Sequence, residues 1–129
     1  MKKIIPIQYF DQSTLKLAGE LLGKFLVRKT GDGETRAMIT EVEAYVGTED
    51  KASHASKGRT SRTEVMFGKA GYWYVYMIYG MYYCLNIVTE KEGYPAAILI
   101  RSVEVIVGPG RVCKYFKIDN SSRLTINKK

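Results

Sequence analysis

The apolar and polar positions at the start of the chain predict an extended segment followed by a helix. Residues 4–10 suit an extended chain, and the helix is expected over about residues 14–22, with Asp11 or Ser13 as its N-terminal cap. Gly23 is suited to end this helix. The predicted apolar face consists of Leu15, Ala18, Leu21 and Leu22.

A β-hairpin is predicted next. Residues 24–30 suit a strand, residues 31–33 the turn, and residues 34–45 the return strand. Because side chains alternate along a strand, one face of the return strand should carry four residues. These are Ile39, Glu41, Glu43 and Tyr45. Two interpretations of the carboxylates stay open: both face water, or one lies in a pocket and acts as a base.

Residues 72–86 contain six of the ten tyrosines and the only tryptophan. Aromatic and β-branched residues favour strands, and Gly80 divides the run, so we predict two strands that meet near Gly80. A buried tyrosine needs a partner for its hydroxyl group. The tyrosines therefore form either a core with polar edges or a surface on which flat ligands such as nucleobases stack.

A near-continuous apolar strand is predicted over residues 96–106, in a central position of the sheet. Arg101 interrupts it, on the face expected for Leu99 and Val103. An arginine there is either buried with an acidic partner or an anion, or exposed on an edge strand. The sequence alone does not decide between these two environments.

The C-terminal part of the chain predicts a turn and a short helix. Residues 108–111 suit the turn, and the helix is expected over residues 112–117. The free N–H groups at the start of this helix are suited to a phosphate.

Charge adds a candidate partner to this picture. Twenty lysines and arginines against thirteen acidic residues give a net charge of +7, which suits nucleic acid, an anionic membrane surface or acidic partners. Residues 47–71 show little periodicity and contain the only histidine, His54, together with a basic set. This stretch is either a solvated loop or a segment that lies along a phosphate backbone. The basic set comprises Lys57, Arg59, Arg62 and Lys69.

The composition indicates one domain over residues 1–129 with a modest core, since 46% of the residues are hydrophobic. No apolar run reaches membrane-spanning length and no secretion signal is evident, so we expect a protein that is not secreted. Cys84 and Cys113 form no CxxC pattern and are expected to be reduced packing residues without a metal.

Several motifs occur together in a specific order. They are Phe10-Asp11-Gln12, Leu21-Leu22-Gly23, Glu41-Val42-Glu43-Ala44-Tyr45-Val46-Gly47, Tyr74-Val75-Tyr76-Met77-Ile78-Tyr79-Gly80-Met81-Tyr82, Cys84-Leu85-Asn86, Ile100-Arg101 and Gly108-Pro109-Gly110. With them the chain resembles the alkyladenine (3-methyladenine) DNA glycosylases, also called methylpurine DNA glycosylases, over about residues 9–119. The resemblance implies a single α+β domain with a curved, mostly antiparallel β-sheet and a few short helices.

The resemblance also implies an activity. Such enzymes hydrolyse the N-glycosidic bond to alkylated or deaminated purines in double-stranded DNA, after flipping the nucleotide out of the helix. Their substrates include 3-methyladenine, 7-methylguanine, hypoxanthine and ethenoadenine. Water is the nucleophile, so no lyase step, metal or organic cofactor is expected. Such a repair enzyme is expected in the cytoplasm, at the nucleoid or in the nucleus.

Residue roles follow from the positions of the motifs. Glu43 matches the general base, and Arg101 matches an arginine near the attacking water and the phosphate of the flipped nucleotide. A buried ion pair of these two would explain the charge in the apolar strand. The base-stacking pocket and the residue that crowds the purine 2-position are expected at Tyr45, His54, Tyr76 and Asn86. The expected DNA contacts, with Tyr79 as the wedge that fills the gap in the stack, are Tyr79, Met81, Arg59 and Arg62.

The chain departs from the family in length. The longer helical segment usually found between Val105 and Gly108 is absent, and the C-terminal part of the family pattern after Asp119 is missing. The protein is therefore either a compact glycosylase or a truncated lesion- or single-strand-binding module without catalysis. A monomer is expected, and exposed sheet edges make a dimer the alternative.

Overall fold

The computed structural model describes residues 3–47, 64–78, 82–118 and 123–128 of the chain. They form an α+β fold, a curled antiparallel sheet with short helices, which confirms the predicted fold class. The helices are α1 (Thr14–Leu21) and α2 (Pro109–Phe116), with short 3-10 helices at Ile7–Phe10 and Glu64–Phe67. The strands are β1 (Phe25–Thr30), β2 (Gly33–Val46), β3 (Trp73–Ile78), β4 (Tyr82–Val88), β5 (Ala96–Val103), β6 (Ile106–Val107) and β7 (Leu124–Asn127).

The sheet has the strand order β3-β4-β5-β2-β1-β7, with β6 paired to β5. Strand β2 belongs to both halves, because its first part pairs with β1 and its second part with β5. The pairing with β5 is irregular between Ile39 and Val42, directly after β2 changes partner. Since a bulge bends its strand and increases the local twist, these irregularities account for the curl of the sheet.

The predicted hairpin of β1 and β2 and the aromatic strands β3 and β4 are confirmed, and β5 is central as predicted. Strand β5 ends at Val103 rather than at residue 106, because a turn at Glu104 and Val105 folds β6 back onto it. Helix α2 begins three residues earlier than predicted, at Pro109, whose fixed φ suits the first helical position. Residues 7–10 were predicted to be extended, which is wrong, since they form a 3-10 helix.

Helix α1 is confirmed, and its predicted apolar face is correct at Ala18 and Leu21 but wrong at Leu15 and Leu22. Leu17 and Leu21 are fully buried, whereas Leu15 is 73% exposed and Leu22 is exposed as well. The buried stripe begins at Thr14, whose hydroxyl group is hydrogen-bonded to that of Thr89. Positions 14, 17 and 21 therefore face the sheet.

The sheet has two differently packed faces. The main core lies on one face, against α1 and α2, and includes Leu85, Ile87, Ile98 and Ile100. A smaller cluster lies on the other face, which we call the site face, and consists of Met66, Phe67, Tyr74, Val88 and Ala97. Tyr45 and Tyr76 pack against this smaller cluster.

The C-terminal residues extend the sheet. Strand β7 pairs with β1, and Ile4 forms a bridge to Asn127 on the outer side of β7. The backbone N–H of Ile5 donates to the carbonyl of Ile126 at 2.7 Å, and that of Lys128 donates to Lys3 at the same distance. The N-terminal segment thus covers this sheet edge along the described residues. Whether the chain dimerises stays a prediction.

Candidate active site

The acidic centre of the site face is Glu43, in the second half of β2. Its Oε2 atom accepts a hydrogen bond from the Tyr45 hydroxyl group at 2.6 Å and lies 3.6 Å from Nη1 of Arg101 in β5. The two side chains of the ion pair are 40% and 43% exposed. Within the described part of the chain, both contacts fall on the same carboxylate oxygen, Oε2.

Three tyrosines line the site face beside this carboxylate. Tyr74 and Tyr76 lie two residues apart on β3, and their ring centroids are 5.3 Å apart. Tyr45 packs against the same cluster from β2. Burial raises the pKa of both Tyr45 and Tyr76 above their ordinary value of 10.0, and the neighbouring Glu43 raises that of Tyr45 further. The phenols are therefore neutral donors at physiological pH.

Asn86 and Cys84 lie on the site face of β4, beneath the tyrosines. Asn86 is 2% exposed, and its Nδ2 donates to the backbone carbonyl of Tyr74, its partner on β3, at 3.2 Å. Cys84 stands opposite Tyr76 and is hydrogen-bonded to it. Burial raises the pKa of the Cys84 thiol. The buried layer that Asn86 and Cys84 form beneath the tyrosines is therefore neutral, and its polar groups are held at fixed positions.

The structure therefore brings together five of the predicted site residues on one face of the sheet. They are Glu43, Arg101, Tyr45, Tyr76 and Asn86. The other predicted site residues lie outside the described part of the chain, and their roles stay predictions. They are His54, Arg59, Arg62, Tyr79 and Met81.

Two details of the predicted site need correction. The Glu43–Arg101 pair was expected to be buried, but both side chains are partly exposed. Ile39 was expected to share a face with Glu43, yet it packs in the main core, because the bulge after it reverses the alternation. The same reversal separates Val103 from Arg101.

Sequence reasoning did not include Tyr74 and Cys84 in the site. Period-two alternation along β3 places Tyr74 on the face of Tyr76, and the hairpin register places Cys84 opposite Tyr76. The places of Tyr74 and Cys84 on the site face could therefore be predicted from the strand pattern once β3 and β4 were assigned.

The described residues offer neither a metal cluster nor a membrane-spanning helix. No group of three or more His, Cys, Asp or Glu residues with metal-binding spacing occurs within residues 3–47, 64–78, 82–118 and 123–128. No helix among these residues is long and apolar enough to cross a membrane.

Comparison with known proteins gives a consistent result. The family model described as methylpurine-DNA glycosylase matches residues 8–108. Proteins from Wolbachia pipientis wMel and Rickettsia conorii are each 52% identical to this chain, over 96% and 94% of it and over 72% and 69% of their own lengths. A protein from Methanocella arvoryzae is 57% identical over 81% of this chain and 52% of its own length. All three are named "Putative 3-methyladenine DNA glycosylase". On its sequence, the chain belongs to the methylpurine-DNA glycosylase family.

Proposed function

We propose that this protein excises alkylated or deaminated purines from double-stranded DNA by hydrolysis of the N-glycosidic bond. The observation that carries this proposal is the carboxylate of Glu43, held on Oε2 by Tyr45 and Arg101 beside a face lined with tyrosines. This chemistry needs a carboxylate that takes a proton from the attacking water and an aromatic surface on which the base stacks.

The reaction is balanced with water as the only co-reactant. The water oxygen bonds to C1′ of the sugar, the bond from C1′ to the purine nitrogen breaks, and the purine leaves with the electron pair. Glu43 takes the proton of the attacking water, and its charge stabilises the positive charge that develops on the sugar. A cationic alkylpurine departs as a neutral base, whereas a neutral purine such as hypoxanthine must also gain a proton.

The tyrosines have a second role in this proposal. N-alkylated purines are often cationic, and a cation between aromatic rings is favoured by roughly 0.5–2 kcal/mol. Tyr45 and Tyr76 supply such rings on the site face, and His54 would add a third contact. Asn86 would crowd the 2-amino group of guanine, because rejection by a clash is an effective way to exclude an abundant competitor.

The remaining roles concern the DNA itself. Tyr79 would fill the gap that the flipped nucleotide leaves, with Met81 beside it, while Arg59 and Arg62 would contact phosphates. No lyase step is proposed, because the nucleophile is water rather than an amine of the protein.

The test is single-turnover excision on matched duplexes that carry one 7-methylguanine, one hypoxanthine, one ethenoadenine or no lesion. We expect free base from one or more of the damaged duplexes and none from the undamaged duplex, with strand breaks only after alkali treatment. Tight, salt-sensitive binding without base release would instead identify a lesion-binding module. Strand breaks without alkali would refute the hydrolytic mechanism.

A further inference from the structure

The pairing of β2 with β5 changes register twice within a few residues. Successive pairs are Ile39–Val103, Glu41–Ser102 and Val42–Ile100. Thr40 on β2 and Arg101 on β5 therefore have no direct partner, and each is the extra residue of a bulge. The pair of Glu41 with Ser102 stands alone between the two bulges.

Arg101 differs from the rest of β5 in its exposure. Every other residue of β5 is buried, and the pattern along the strand breaks only at this residue. Alternation from Ala97, which lies on the site face, already places Arg101 on that face, and the bulge turns Val103 into the main core. Arg101 points from the site face towards Glu43, while Ile100 and Ser102 on either side of it stay buried.

A side-chain hydrogen bond holds the isolated pair together. Ser102 is 2% exposed, and its Oγ donates to Oε1 of Glu41 at 2.6 Å. The N–H of Gly108, which precedes α2, points to Oγ of Ser102 at 3.2 Å and to the carbonyl oxygen of Arg101 at 3.0 Å. Ser102 thus connects β2, the backbone of Arg101 and the start of α2.

We propose that Ser102 and Glu41 are positioning residues that fix the guanidinium group of Arg101 against Glu43, an inference that rests on the proposed function. An ion pair in which both side chains are partly exposed to solvent does little to fix its own geometry. The bulge also leaves Arg101 without a direct partner on β2. The hydrogen bond between Ser102 and Glu41 supplies the missing constraint from the neighbouring residue.

The first test compares variants of the ligand-free protein by the NMR signal of the Arg101 Nε–H group. In the Ser102→Ala variant we expect this signal to shift and broaden, because the side chain samples more than one position. The Glu41→Gln variant keeps an acceptor oxygen and should retain the wild-type signal. Thr14→Val is the matched control, since it also removes a buried hydroxyl group that donates to a glutamate, Glu90.

The second test measures single-turnover excision in the same variants. We expect Ser102→Ala to slow excision about tenfold with DNA affinity unchanged, since misplacement by about 1 Å can cost up to a hundredfold in rate. Glu41→Ala should slow excision by the same factor as Ser102→Ala, whereas Glu41→Gln should excise at the wild-type rate. Thr14→Val should lower the melting temperature without changing the excision rate. In an Arg101→Ala background, Ser102→Ala should cause no further loss, because its effect passes through Arg101.

The outcomes separate this inference from the proposed function. An Arg101 signal that is identical in Ser102→Ala and in the wild type overturns the inference, whether or not the protein excises bases. A wild-type protein that releases no base, with the NMR effect present, overturns the proposed function while supporting the positioning of Arg101. Equal rate losses from Ser102→Ala with and without Arg101 also overturn the inference.

Discussion

At the scale of single residues, the site depends on which oxygen of Glu43 each neighbour occupies. Tyr45 contacts Oε2 from β2, the strand of Glu43 itself, and Arg101 contacts the same atom from the neighbouring strand β5. In the proposed mechanism this leaves Oε1 to hold the attacking water. In that mechanism Tyr45 would have two roles, because its ring would contact the base and its hydroxyl group would orient the carboxylate.

The double role of Tyr45 can be separated by the Tyr45→Phe substitution. This change keeps the ring and removes the donor to Glu43, and a hydrogen bond to a charged group is worth about 1.5–3 kcal/mol. We therefore expect single-turnover excision to fall about tenfold or more, with affinity for damaged DNA nearly unchanged. An unchanged rate, or a loss confined to affinity, would contradict the orienting role.

The raised pKa of Tyr45 and Tyr76 predicts a pH dependence of stability. Below pH 10.0 both phenols are protonated in the folded and in the unfolded chain, so their contribution is fully present. Above that pH the unfolded chain loses these protons while the folded chain keeps them, and the free energy of unfolding falls as pH rises. Urea unfolding at about pH 9 and about pH 11 should show this decrease, and it should be smaller in a Tyr45→Phe, Tyr76→Phe variant.

At the scale of elements, the N-terminus of α1 is held by a residue from a distant part of the sequence. The side chain of Ser13, at the cap position, makes no capping hydrogen bond. The Thr14 N–H donates instead to Oε2 of Glu90, at 3.1 Å, and the Thr14 hydroxyl group donates to the same oxygen. Glu90 adopts a positive φ of 63°, and its own N–H donates to the carbonyl of Phe10. The segment after β4 thus fixes where α1 begins.

This external cap makes a prediction about stability. Glu90→Ala should lower the free energy of unfolding by about 1–2 kcal/mol, because it removes the acceptor for the N–H and the buried hydroxyl group of Thr14. Ser13→Ala, at the position that the sequence favours as the cap, should change it by about 0.5 kcal/mol or less. Denaturant unfolding measures both, and the reverse order of the two effects would contradict this account.

The elements also show how far sequence reasoning reaches. The hairpins followed from strand-favouring and turn residues, and the central β5 followed from a near-continuous apolar run, because these signals are local. The reversed faces of Ile39 and Val103 did not, because alternation assumes an unbroken ladder and a bulge leaves no signature in residue type. The cap of α1 was missed for another reason, since Glu90 is distant in sequence and contacts the helix only after the sheet has formed.

The candidate site was partly predictable for the same reasons. Glu43, Tyr45 and Tyr76 fall within dense motifs, and the structure places them on one face of the sheet. The partial exposure of the pair between Glu43 and Arg101 required knowledge of the register. The contribution of Ser102 required both the register and the start of α2.

At the scale of the whole molecule, the two thiols lie in different parts of the interior. Cys84 lies beneath the site face, and Cys113 packs from α2 into the main core. Both are 2% exposed, and burial raises the pKa of Cys113 to about 12 and that of Cys84 above its ordinary value. The thiolate form that reacts is therefore scarce in the folded protein.

The thiols predict a single opening event for the molecule. At about pH 8 the folded protein should react slowly with a thiol reagent, and both cysteines should become reactive over the same range of urea concentration. Variants with one cysteine replaced by alanine assign the two signals. A thiol that reacts fast in the native protein would show that its side of the sheet opens independently.

The most direct test of the proposed reaction is single-turnover base release by the wild type and by Glu43→Gln on one hypoxanthine duplex. The amide keeps the shape of the carboxylate but takes no proton, so release should fall by about a hundredfold or more while DNA affinity stays nearly the same. Glu41→Gln, the same change two residues away, serves as the control and should release base at nearly the wild-type rate. Undiminished release by Glu43→Gln would contradict the role of Glu43 and, with it, the mechanism proposed for this protein.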